Sequence, residues 1–310
     1  MEYNHVPVLM DEVLELLDVK AEGVYIDGTL GGGGHTRGIA RKLGQSGRLI
    51  CIDRDEDAIR NAAGLPDEFG GRVIVARENF VNAKALAAEF GYNYIDGALI
   101  DLGVSSHQID TAERGFSYMR EGPLDMRMSA DSPLTAENIV NTYSRDRLER
   151  LFYTYGEERY ASIIARAIIK EREEREIHTT TQLNEIIEKA VAHVRTDGGH
   201  KAKRVYQALR IEVNDELGII RPAIESIVSI LKPGGRLALI TFHSLEDRIV
   251  KETFAQLERD CICPPRFPVC VCDKRAEVKI LTKKPIIAGD DEIKVNSRSK
   301  SAKLRVCEKQ

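Results

Sequence analysis

The segment Val24-Tyr25-Ile26-Asp27-Gly28-Thr29-Leu30-Gly31-Gly32-Gly33-Gly34-His35, answered by Leu49-Ile50-Cys51-Ile52-Asp53, constrains this chain more than any other. An apolar strand runs into a glycine loop, a helix follows, and a second apolar strand ends in an acid. Five glycines in the seven positions 28–34 remove the side chains that would hold a ligand off the backbone, and they permit positive φ. Asp53 follows Gly33 by 20 residues, where a dinucleotide-type fold places the acid that hydrogen-bonds ribose hydroxyls. The pattern reads as a site for an adenosine-containing cofactor. A strict G-x-G-x-x-G would need a third glycine at position 36, which is Thr36, so the loop by itself also fits a ligand-free turn.

The rest of the first hundred residues supports the ligand reading. Val24–Asp27, Arg48–Asp53, Arg72–Ala76 and Ile95–Asp101 are strand-like apolar runs, and Thr36–Leu43, Glu56–Ala63 and Val81–Phe90 between them have helical spacing. Such alternation predicts a parallel sheet wrapped by helices, with ligands at the carboxyl ends of its strands. Asp27, Asp53 and Asp101 each end a predicted strand and are expected to face one crevice. From about Ser129 to Asn214 strand signals vanish. Ser144 caps a predicted helix carrying Leu148, Leu151, Phe152 and Tyr155; a second carries Tyr160, Ile163, Ile164, Ala167 and Ile168; Thr181 caps a third with Leu183, Ile186, Ile187, Ala190, Val191 and Val194. These stripes read as helix-packing faces, and the polar link 193–203 as a mobile connection. Sheet character resumes at Leu231-Lys232-Pro233-Gly234-Gly235, where a helix is expected to stop and a strand to begin. Glu277–Leu281 and Ala302–Val306 alternate as a final, antiparallel strand pair.

At 310 residues, with 43% hydrophobic and 30% charged content, the chain is long enough for a large α/β domain plus a smaller one. No apolar run approaches the roughly 18 residues of a membrane span, and Met1-Glu2-Tyr3-Asn4-His5 lacks the features of a signal peptide. A cytoplasmic protein with no membrane partner is expected, in which the six cysteines are thiols or metal ligands. The net charge of −4 argues against indiscriminate nucleic-acid binding, but the charge is uneven. Arg195, Lys201, Lys203, Arg204 and Arg210 face one acid, Asp197, and the segment 294–310 holds six basic residues against Glu308. Local basic surfaces suit a polyanion held at one face; solvated helix faces and a loose tail are the plain alternative.

Several motifs together carry a resemblance. They include His5-Val6-Pro7-Val8-Leu9, Tyr25-Ile26-Asp27-Gly28-Thr29, Gly33-Gly34-His35, Cys51-Ile52-Asp53-Arg54-Asp55, Asp101-Leu102-Gly103-Val104-Ser105-Ser106 and Glu113-Arg114-Gly115-Phe116-Ser117. Gly122-Pro123-Leu124-Asp125-Met126-Arg127-Met128, Tyr155-Gly156-Glu157-Glu158-Arg159, Phe242-His243-Ser244-Leu245-Glu246-Asp247-Arg248 and Ser301-Ala302-Lys303-Leu304-Arg305-Val306 complete the set. The chain closely resembles the bacterial ribosomal small-subunit (16S) rRNA (cytosine-N4)-methyltransferase family over essentially its whole length. The resemblance implies an S-adenosylmethionine-dependent enzyme methylating the exocyclic N4 of a cytidine near the decoding centre. It implies a class I (Rossmann-like) methyltransferase sheet of seven strands, with an antiparallel C-terminal strand, over 1–114 and 216–310. A helical insertion for rRNA recognition would span 115–215. The family's cofactor contacts carry over to Gly33, Gly34, His35, Asp53, Phe80, Asp101 and Gln108, all of which hold the family's residue.

Asp101 stands where other amino-methyltransferases carry Asn or Asp before Pro-Pro-Tyr or Pro-Pro-Phe, but no proline pair or aromatic follows it. Phe116, Tyr118 and Phe242 are then the candidates for stacking a flipped base. A cytosine amine is a poor nucleophile, so the site must orient it and accept its N–H groups. Asp101, His243 and Ser105 are the catalytic candidates, with Ser244 beside them; Asp101 equally fits a strand-end carboxylate capping a helix, His243 a structural imidazole and Phe80 a core aromatic. Lys201, Lys203, Arg204, Arg298, Lys300 and Arg305 are the candidates for rRNA phosphates. Cys261, Cys263, Cys270 and Cys272 form two C-x-C pairs that fit a structural zinc, free thiols, or a redox pair. An NAD-dependent oxidoreductase and an RNA-binding protein without activity are the competing readings, and a symmetric homodimer is the default assembly.

Overall fold

The computed structural model describes residues 7–192, 200–264, 269 and 271–310. The chain divides into two compact units, Met1–Gly103 with Leu217–Gln310 and, between them in sequence, Val104–Glu216. Residues 104–114 and Glu216, expected with the sheet, fall in the second unit.

The first unit is built on seven strands: β1 Val24–Asp27, β2 Arg48–Asp53, β3 Val73–Arg77, β4 Ile95–Asp101, β5 Leu231–Thr241, β6 Val278–Ile280 and β7 Lys303–Lys309. Their order is β3-β2-β1-β4-β5-β7-β6. The first five strands pair in parallel, and β7 runs antiparallel to both β5 and β6. The order reverses direction between β1 and β4, and a crevice opens at the carboxyl ends of strands at such a switch.

Successive residues turn to opposite faces of the sheet, and both faces are covered. Ile26, Ile50, Ile52, Ala98, Ile100, Leu237 and Leu239 pack beneath helices Ala83–Glu89, Ile220–Ile230 and Ser244–Glu258. Tyr25, Leu49, Cys51, Leu99, Ala238 and Ile240 pack beneath helices Met10–Leu17 and Gly34–Lys42. Each fully buried Leu or Ile contributes about 1.5–3 kcal/mol relative to an exposed one. That double-sided burial explains why the strands read as continuous apolar runs.

Three local expectations are corrected. The helix expected over Glu56–Ala63 ends at Asn61, and a second turn, Leu65–Glu68, begins with Pro66 in its first turn, where proline is tolerated. The Pro233-Gly234 turn lies inside β5: the pairing slips between Ile95↔Leu231 and Gly97↔Arg236, and Gly234 takes a φ of 78°. The cap of the third insertion helix is Thr179, which exchanges side-chain and backbone bonds with Gln182 in a capping box; Thr181 is already inside the helix Thr180–Ala190.

The second unit is helical, with helices Ala136–Thr142, Arg145–Gly156, Ala161–Glu174, Thr180–Ala190 and Lys203–Asn214. Leu148, Phe152, Ile164, Ile168, Leu183, Ile187, Val205 and Leu209 meet in its core. Gly156 permits a close crossing, since a Cβ there would stand 2.6 Å from the carbonyl oxygen of Arg204. Val194 and the link 193–199 lie outside the described residues. Among the described residues no helix is long and apolar enough to cross a membrane.

Candidate active site

The glycine loop is pinned at both ends by the sheet. Gly28 N–H donates to Leu99 O at 2.8 Å and Leu30 N–H to Ile52 O at 2.9 Å. Gly31 and Gly33 take φ of 48° and 73°, conformations that side chains disfavour. Gly33 is the N-cap of helix Gly34–Lys42 and brings no side chain to cap it, while Arg37 Nη1 donates to Gly32 O and Gly33 O at 3.4 Å. Gly34 is required for contact: a Cβ there would lie 2.3 Å from Pro7 Cγ.

The three strand-end acids, expected to face one crevice, differ. Asp27 is fully buried and accepts Thr36 Oγ1–H at 2.6 Å and Thr29 N–H at 3.2 Å. It therefore latches the loop to the helix and does not face the crevice. Asp53 is half-buried; its Oδ2 accepts Gly31 N–H at 2.8 Å and its Oδ1 accepts Asp55 N–H at 2.9 Å. Each oxygen keeps a second lone pair. Burial pushes this carboxyl up to about 6, against the two amide bonds. Asp101 is also half-buried, yet its Oδ1 is a buried oxygen with no hydrogen-bond partner. Burial first, then the charges of Asp27 and Glu246, push its carboxyl well above the usual range. Its amide donates to Thr29 Oγ1 at 2.6 Å, tying the end of β4 to the loop.

His35 lies against Asp101 with Nδ1 3.7 Å from Oδ2, while Nε2 is 2.9 Å from Val8 O. A carbonyl only accepts, so the hydrogen is assigned to Nε2 and Nδ1 carries the lone pair. Burial pushes the imidazole down to about 4, so it is neutral at neutral pH and the approach to Asp101 is not an ion pair. Phe80 follows β3 and is half-buried beside Gly28, where a Cβ would stand 3.1 Å from its own. At the end of β5, Glu246 is buried and its Oε2 accepts Phe242 N–H at 2.7 Å and His243 N–H at 3.2 Å. Its Oε1 lies 3.1 Å from His243 Nε2.

Thus the sheet unit holds Gly33, Gly34, His35, Asp53, Phe80, Asp101, Phe242 and His243 on its loops and strand ends. Thr29, Thr36 and Glu246 were missed by sequence reasoning. Glu246 had a signal: a glutamate three residues after a helix-capping position. Ser105 and Gln108 belong to the helical unit, where Ser105 Oγ accepts Gln108 N–H and Gln108 Oε1 accepts Ser105 N–H, a reciprocal helix cap. In that unit Phe116 is a core residue and Tyr118 stacks on His200 at 4.6 Å between ring centroids.

The basic candidates are unequal. Lys203 and Lys300 are exposed and Arg298 is half-buried. Lys201 Nζ donates to Val191 O at 3.0 Å, and the exposed Arg204 donates to Glu157 O at 3.1 Å. Arg305 is only 6% exposed and its Nε donates to Asp247 Oδ1 at 2.6 Å, which takes it out of the solvent-facing set. Burial opposes that pair, but Arg305 and Lys303 hold the Asp247 carboxyl below its usual range. Of the cysteine set, Cys261, Cys263 and Cys272 come together within 4.8 Å, and Cys270 lies outside the described residues.

The sequence matches the MraW methylase family over residues 2–310. Ribosomal RNA small subunit methyltransferase H 2 of Agathobacter rectalis is 50% identical over 311 residues, covering 100% of this chain and 99% of that protein. Ribosomal RNA small subunit methyltransferase H of Clostridioides difficile is 50% identical over 310 residues and covers 100% of both chains.

Proposed function

Because this chain belongs to the MraW methylase family, we propose that it transfers a methyl group from S-adenosylmethionine to the exocyclic N4 of a cytidine in 16S rRNA near the decoding centre, acting in the cytoplasm. The names of its relatives support the rRNA substrate. The observation that carries the chemistry is the unpartnered, buried Oδ1 of Asp101 at the switch point of the sheet. An acceptor left unsatisfied in a native structure is costly unless a ligand's donor completes it.

The residues fit the cofactor. Gly33 and Gly34 let its methionine portion lie against backbone, Asp53 accepts its ribose hydroxyls through the lone pairs its amide bonds leave over, and Phe80 offers apolar contact to its adenine. S-adenosylmethionine supplies, when bound, an electrophilic methyl group on a sulfonium sulfur. Asp101 accepts an N–H of the target amine, turns its lone pair toward the methyl, stabilises the positive charge that grows on nitrogen and takes the proton the amine loses as the N–C bond replaces the C–S bond. Neutral His35 adds an acceptor at Nδ1 beside it. His243, braced by Glu246, positions the base, with Phe242 available for stacking. Ser105 and Gln108 enter as the helix cap that fixes the chain beyond Asp101. Lys203, Lys300 and Arg298, with Lys201 and Arg204 where their bonds leave donors over, hold rRNA phosphates.

The test combines labelled S-adenosylmethionine, small subunits from cells lacking this protein, and nucleoside analysis of the product. Label in N4-methylcytidine, lost with Asp53→Ala, is the expected result. Label in another nucleoside would overturn the target atom, and failure to bind the cofactor would reopen the nicotinamide alternative.

A further inference from the structure

The connection from helix Ser244–Glu258 to β6 is long and holds no helix or strand among its described residues. Its ends are tied down, with Glu277 N–H donating to Leu257 O at 2.8 Å and Ile280 N–H to Glu258 Oε1 at 2.7 Å. Loops beyond about 12–15 residues without regular structure are uncommon in compact domains unless something orders them. It also exposes Ile262 and Val271, at 64% and 68%, so these apolar residues, among the described ones, do not order it as a core.

What converges instead is sulfur. The Sγ atoms of Cys261, Cys263 and Cys272 lie within 4.8 Å of one another, and Cys261 and Cys272 are 3.8 Å apart. A disulfide would need about 2.05 Å, whereas sulfurs at about 2.3 Å from a tetrahedral centre are about 3.8 Å apart. Backbone amides point at the same sulfurs: Ile262 N–H at Cys272 Sγ (3.3 Å), Cys263 N–H at Cys261 Sγ (3.4 Å) and Val271 N–H at Cys263 Sγ (3.4 Å). Amide donors aimed at sulfur are the outer shell that orients thiolate ligands around a metal.

We propose that Cys261, Cys263 and Cys272 bind a structural zinc ion as thiolates and so order the connection between helix Ser244–Glu258 and β6. Each thiol releases its proton to solvent as it takes up metal, and no electron is transferred. The three described thiolates leave one tetrahedral position for a further ligand.

Elemental analysis of the full chain, purified without chelator, should find about one zinc per chain. A mercurial thiol reagent should release it stoichiometrically to a colorimetric zinc indicator. Cys261→Ser and Cys272→Ser should each lose the metal and gain protease cleavage between the helix and β6, while cofactor affinity stays at the wild-type value. Cys307→Ala, a buried thiol of β7, should keep the metal. Wild-type protein with no metal above buffer background, with iron in place of zinc, or with a disulfide among these cysteines by mass spectrometry would overturn the proposal.

Discussion

In the sheet unit, burial dominates the strand-end acids Asp53 and Asp101, whereas in the helical unit Asp125, Glu212 and Glu216 lie against arginines. Asp53 and Asp101 are pushed upward by burial. Glu216 meets Arg210 through two bonds of 2.9 Å, Asp125 meets Arg127 at 2.8 Å, and Glu212 meets Arg147 at 3.2 Å. Arg127 and Arg114 hold Asp125 below its usual range even though burial opposes them. Burial is common to both regions; the difference is whether an arginine is bonded to the acid. An answered acid is a structural bond, while an unanswered one waits for a donor from outside the chain.

Breaking the strongest pair of the helical unit should produce the largest effect. Arg210→Ala strands the buried Glu216 and should lower unfolding stability by about 3–5 kcal/mol, read from denaturant melts, while cofactor affinity holds. A parallel loss of affinity would erase the distinction between the two kinds of acid. Asp53→Ala should do the reverse, weakening cofactor binding by at least about 100-fold for two lost bonds to a charged acceptor, with calorimetry giving the affinity and a melt run alongside.

Acidity sharpens the comparison further. Asp53 accepts hydroxyls best when ionised, and its carboxyl sits at about 6. Cofactor affinity should therefore be level above that pH and fall by up to about tenfold per unit below it. An ionised Asp101 accepts an amine N–H more strongly than a neutral one and can take the proton the amine loses, and its carboxyl is raised. Single-turnover rates should rise with pH along a limb above the ordinary carboxylate range, and Asp101→Asn should abolish that limb along with most of the rate. A limb that survives in Asp101→Asn would assign it elsewhere. The smallest effect belongs to the exposed Lys203: Lys203→Ala should weaken rRNA binding a few-fold and reduce the salt dependence by about one counterion.

How much of this was legible in the sequence follows the reach of each interaction. β1, β2 and β4 occupy the expected positions because both faces of each strand are buried and apolar periodicity reports that directly. Asp27 misled because strand-end position is a local signal, while the hydroxyl that captures it, on Thr36, is nine residues away across a turn. Arg305 misled more strongly: its partner Asp247 is 58 residues distant and on another element, so a basic tail and a buried ion pair read alike. Glu246 was readable as a helix cap, but its grip on Phe242 N–H was not, because that bond depends on where β5 ends. The sulfur cluster was visible as two short pairs, though its closure needed the fold of the loop.

The strand order also sets a timetable. β4 pairs on one side with β1, already synthesised, and on the other with β5, whose residues follow only after the whole of Val104–Glu216. At elongation rates of about 5–20 residues per second that interval is on the order of ten seconds. Throughout it the nascent β4, with Ala98, Leu99 and Ile100 destined for complete burial, presents an open edge to the crowded exit of the ribosome. The segment emerging meanwhile closes an apolar core of its own, so what the ribosome adds during the wait can fold locally without lengthening the unpaired edge.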